Sequence, residues 1–65
     1  MAYHTFDKPM TAKEAKEAYK YMQPHGVFCD GVRIKEKDYE NYIVDYAEVT
    51  SGIVYYFTHK KENLT

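Results

Sequence analysis

The chain has 65 residues, nine Lys and Arg against ten Asp and Glu, and a formal net charge of −1. That length holds one domain, and one Cys excludes an intrachain disulfide scaffold. Near-neutral charge argues against a strongly basic nucleic-acid binder, and 45% hydrophobic residues argue against disorder.

Residues 1–9 read as a lead-in, with Tyr3-His4-Thr5-Phe6 as a candidate edge strand that Pro9 ends. The opening residues lack the apolar run of a signal peptide. The longest apolar run, Ile53 to Phe57, is far short of the roughly 20 residues that span a bilayer. A lone thiol fits a reducing compartment, so the expected location is cytoplasmic.

Residues 11–22 predict a helix. Thr11-Ala12-Lys13-Glu14 is a capping box, in which the Thr11 hydroxyl accepts from the Glu14 amide and the Glu14 carboxylate from the Thr11 amide. Ala12, Ala15, Tyr19 and Met22 fall on one face, and Lys13, Glu14, Lys16, Glu17 and Lys20 on the other. Pro24 and Gly26 stop the helix.

Strands are expected at 27–29 and 32–36, joined by an Asp30-Gly31 turn. That turn pairs Cys29 with Val32, Phe28 with Arg33 and Val27 with Ile34. It also sets the Arg33 guanidinium beside the Phe28 ring.

Residues 39–50 support two readings. Tyr39, Tyr42, Ile43, Tyr46 and Val49 make a helical stripe in which only Val44 is misplaced. The Tyr, Ile, Val and Thr content favours a strand over 42–50. The strand reading is preferred, with Ser51-Gly52 turning into a strand over 53–59. That hairpin pairs Val49 with Val54 and Tyr46 with Phe57. Strict alternation then collects Tyr42, Val44, Tyr46, Ile53, Tyr55 and Phe57 on one face. Residues 61–65 are expected to fray. The expected fold is α+β, one helix on an antiparallel sheet of three to four strands. The alternative is two helices on three strands.

No catalytic constellation emerges. Cys29 with His25 or His59 is the sole nucleophile–base candidate, and no cationic residue adjoins Cys29 in the sequence to activate the thiol. His25 and Cys29 form one loose ligand pair where structural zinc needs two. Each Gly sits in a turn, so no phosphate loop exists. The chain is therefore read as a non-enzyme without cofactor or metal.

The informative feature is eight Tyr, more than so small a core can hold. Tyr is enriched at protein contacts, where its ring is buried and its hydroxyl stays wet. From Glu36 to Glu48 five acids face one base, which suits a basic site on a partner. The expected function is a protein-binding module, an inhibitor or regulator that occupies a surface on a larger protein. A viral or mobile-element, anti-defence origin is an expectation from size alone. The expected contact set is Tyr39, Tyr42, Tyr46, Tyr55 and Tyr56, with Asp38, Glu40 and Glu48. One alternative is a nucleic-acid-binding regulator using Lys13, Lys16, Lys20 and Arg33. Another is a homodimeric structural subunit.

Overall fold

Two tight turns organise the sheet. Asp30-Gly31 and Ser51-Gly52 each have φ of 51° then 80°, two consecutive left-handed residues as a type I′ hairpin requires. A computed structural model of the chain describes residues 2–61. Among these residues the elements are β1 (Ala2–His4), α1 (Ala12–Ala18), β2 (Gly26–Cys29), β3 (Val32–Arg33), a 3-10 helix (Glu36–Asn41), β4 (Tyr42–Thr50) and β5 (Ile53–Lys60). The fold is α+β. The helical alternative for 39–50 is not adopted.

The sheet exceeds the expected three to four strands and is not wholly antiparallel. Its order is β1-β4-β5-β2-β3, and β2 runs parallel to β5, with Phe28 opposite Phe57. Both hairpin registers match the turn arithmetic: Phe28 faces Arg33 and Cys29 faces Val32, while Val49 faces Val54 and Tyr46 faces Phe57. The expected lead-in is in part a strand, since β1 pairs Tyr3 with Glu48 at the sheet's edge. Strand 32–36 shortens to Val32–Arg33. The Ile34 amide still donates to the Val27 carbonyl (2.7 Å) before the chain turns into the 3-10 helix. The Lys61 amide donates to the Asn41 carbonyl (2.8 Å). The expectation for 62–65 lies outside the described residues.

The capping box forms as expected. The Thr11 amide donates to Glu14 Oε1 (3.0 Å) and the Glu14 amide to Thr11 Oγ1 (3.1 Å). The Thr11 amide bond foremost, with a second bond donated by the Thr11 hydroxyl to Glu14 Oε1 (3.1 Å), holds the Glu14 carboxyl below its ordinary range. The helix stops at Ala18, not Met22. The Gln23 side-chain amide donates to the Lys16 carbonyl (2.7 Å), supplying a C-terminal partner a turn early. Tyr19 then leaves the helical path and packs against Phe6, ring centroids 5.0 Å apart.

A β-bulge decides which side chains reach the core. Val44 faces Thr58 and Tyr46 faces Phe57, so Asp45 has no opposite number. One extra residue inverts the alternation on its far side. Tyr42 and Val44 therefore share the helix-side face with Ala47 and Val49, correcting their expected grouping with Tyr46. The same shift puts buried Val44 and Ala47 three residues apart, which is the spacing that imitated a helix.

The core is Ala12, Ala15, Val27, Val44, Ala47, Val54 and Tyr56. Three alanines let the helix lie close to the sheet, and the Tyr56 ring fills the space between them and the loop after the helix. Its hydroxyl donates to the Met22 carbonyl (2.7 Å). Burial pushes the Tyr56 phenol up to about 12.

Candidate functional site

A seven-residue helix covers one side of the sheet. On the other side, alternation and the register bring up Tyr3 from β1, Tyr46 and Glu48 from β4, Tyr55 and Phe57 from β5, Phe28 from β2 and Arg33 from β3. Four of these are rings in one row across the strands. Centroid distances are 5.6 Å for Tyr3–Tyr46, 5.0 Å for Tyr46–Phe57 and 6.0 Å for Phe57–Phe28. Arg33 ends the row, with Cζ 6.0 Å from the Phe28 centroid.

The ring orientation has a chemical consequence. Tyr46 and Phe57 are tilted by 22°, and Phe28 and Phe57 by 26°. Rings this parallel on neighbouring strands stack face against face, so their edges point away from the sheet. The surface is thus an apolar ridge of ring edges. A nucleobase platform instead needs free ring faces.

Gly26 makes room for this ridge. A Cβ at Gly26 would stand 2.9 Å from Phe28 Cε2, so the Phe28 ring lies where only glycine permits it. Tyr55 packs beside Phe28 (5.9 Å) and meets the His25 ring edge-on (5.7 Å). The bulge residue Asp45 turns to His59, with Oδ1 2.6 Å from Nδ1. On this face Ile53 and Tyr3 are the more open apolar groups, 41% and 65% exposed.

The expected contact residues divide among three places. Tyr46, Tyr55 and Glu48 belong to the open face. Tyr56 does not: its ring is 0% exposed, because the residue beside Tyr55 on a strand points to the opposite side. Asp38, Tyr39 and Glu40 lie on the 3-10 helix and Tyr42 lies on the helix-side face. The acidic stretch therefore forms no single surface with the open-face Tyr residues. Phe28, Phe57 and Tyr3 were outside the expected set. The two hairpin registers already align Phe28 with Arg33 and Phe57 with Tyr46. The missing signal was the β2–β5 pairing that joins those rows.

The basic set is also split. Lys13, Lys16 and Lys20 line an open groove of about 660 Å³ between α1 and the 3-10 helix, together with Glu17, Glu36 and Glu40. Lys16 bonds Glu36 (2.5 Å), an interaction that raises the pKa of Lys16 and lowers that of Glu36. Lys16 also lies over the Tyr39 ring, 5.9 Å from its centroid. Arg33 sits on the other side of the sheet and donates to the His25 carbonyl (2.7 Å).

Among the described residues no three His, Cys, Asp or Glu side chains converge on a metal-sized site. No described helix is long and apolar enough to cross a membrane. No protein-family model, curated protein or solved structure significantly matches this chain.

Proposed function

We propose that this chain is a small non-enzymatic protein-binding module, of the inhibitor or regulator kind, that lays the uncovered face of its sheet on a larger protein. The supporting observation is the row Tyr3, Tyr46, Phe57, Phe28, capped by Arg33. Stacked rings lose little conformational freedom on contact, and they place aromatic surface with an Arg where interfaces favour both. The lone Cys29 suits a reducing, cytoplasmic setting.

The nucleic-acid reading has less support. Ring faces are spent on neighbouring rings, and the helix lysines lie behind the sheet among carboxylates.

The test is differential affinity capture from the native host. Wild type and a Lys13→Glu, Lys20→Glu variant should capture the same protein. A Tyr46→Ser, Phe57→Ser variant should lose it while keeping a cooperative thermal transition. Equal capture by that folded variant refutes the reading.

A further inference from the structure

The charges that flank the aromatic row do not lie symmetrically about the sheet's centre. Asp45 and Glu48 sit on β4, on one side of the central strand β5, and Arg33 sits on β3, two strands to the other side. The two acids lie together on one side of β5, and the opposite charge lies across β5 from them.

We propose that in the free chain this face packs on the same face of a second copy, about a twofold axis parallel to β5. The proposal rests on the docking reading above, and it names the occupant of that face when no larger partner is present.

Two ways of laying the sheet on its own copy keep the strands aligned, and charge separates them. A twofold axis across the strands sets β4 on β4, so the acids Asp45 and Glu48 of one copy meet the acids of the other. An axis along β5 exchanges the halves and sets β2 and β3 of one copy over β4 and β1 of the other. Arg33 then faces the acidic side of the second copy, and the contact occurs twice, as an isologous interface requires. Arg33 has donors to spare, because its bond to the His25 carbonyl uses one of five N–H groups. The acid nearest the row is Glu48, opposite Tyr55 and Tyr3 in the sheet. Between these charged ends the ridge of Tyr46, Phe57 and Phe28 meets its own copy as one inner face of a sheet sandwich meets another, about 10 Å apart.

Area sets the strength. At about 3.3 Å by 4.8 Å per strand residue, the face offers roughly 400 Å² in projection. Specific interfaces bury about 800 Å² per partner. The dimer is therefore weak and concentration-dependent, and a larger protein reaching past the sheet's rim displaces it.

The test uses the full chain and reads molar mass by light scattering from about 10 μM to about 1 mM, a range that brackets weak association. The mass should rise from near 7.7 kDa towards twice that value. Arg33→Glu and Glu48→Lys, each checked for a cooperative thermal transition, should each weaken the dimer about tenfold or more by juxtaposing like charges. An equimolar mixture should recover it, since both cross-contacts then pair opposite charges. Monomer mass throughout overturns the proposal. So does wild-type dimerisation by both variants, or a mixture of folded variants that stays monomeric. A monomer whose Tyr46 and Phe57 resonances move only on adding a single-stranded oligonucleotide overturns both the dimer and the docking reading. A monomer whose face responds only to a captured protein overturns the dimer alone and leaves the docking reading standing.

Discussion

Tyr56→Phe isolates a single buried hydroxyl. The ring is 0% exposed and its oxygen lies 2.7 Å from the Met22 carbonyl. Phenylalanine keeps the ring packing and removes the donor. A net hydrogen bond contributes about 0.5–1.5 kcal/mol, and a carbonyl left without a partner adds to that loss. The expected loss is about 1–2 kcal/mol. An unfolding entropy of about 2.1 cal/mol/K per residue, over this chain, converts that to a fall in Tm of roughly 7–15 °C. Tyr56→Ala empties the cavity as well and costs about 3–5 kcal/mol. That is comparable to a whole stability of about 0.05–0.15 kcal/mol per residue, so the alanine variant should be largely unfolded. Calorimetry of wild type and Tyr56→Phe reads the difference. A Tm lowered by less than about 2 °C would refute the hydroxyl's role. Burial of the same hydroxyl predicts an alkaline limb. The folded phenol titrates near 12 and the unfolded one near 10.0. The folded state therefore holds its proton longer, so the stability is complete below pH 10 and drains away as pH rises towards 12. Tyr56→Phe should remove that limb.

Three further outcomes follow from other contacts. Gly26→Ala should turn the Phe28 ring out of the row, because the new Cβ would stand 2.9 Å from it; unchanged Phe28 and Phe57 resonances would contradict this. Thr11→Ala removes the helix cap and should cost about 1 kcal/mol. It should also make the acid limb shallower, since alanine removes the hydroxyl bond to the Glu14 carboxylate and keeps the amide bond: Glu14's lowered pKa gives stability that is present above the ordinary 4.5 and lost as pH falls through the folded value. Urea unfolding from pH 3 to 7 reads both effects. Deleting Asp45 removes the bulge and should turn Tyr42 and Val44 away from the helix, abolishing cooperative unfolding. A deletion variant melting near wild type would mean that the bulge does not set the core.

Local chemistry was legible in the sequence because its partners are close in the chain. The Thr11–Glu14 box spans three residues, and each Gly-containing turn fixes its own hairpin register. Helix length was not legible past Ala18, because the group that caps those carbonyls, Gln23, lies beyond the residue where periodicity points. The Asp45 bulge escaped for a related reason. No residue type announces a bulge, and strict alternation carried Tyr42 and Val44 to the wrong side.

The candidate site divides along the same line. Eight Tyr in 65 residues already imply more aromatic surface than one short helix can cover, and adjacent Tyr55 and Tyr56 must point opposite ways on a strand. Which of the two is buried depends on where the helix lies, and here it lies over Tyr56. The row from Tyr3 to Arg33 exists because β5 inserts between β4 and β2, parallel to a strand about thirty residues earlier in the chain. Sequence determined the two hairpins, the helix cap and the excess of rings. Tertiary structure decided which rings share a face, because parity across a bulge and pairing between distant strands are settled by the packed sheet as a whole.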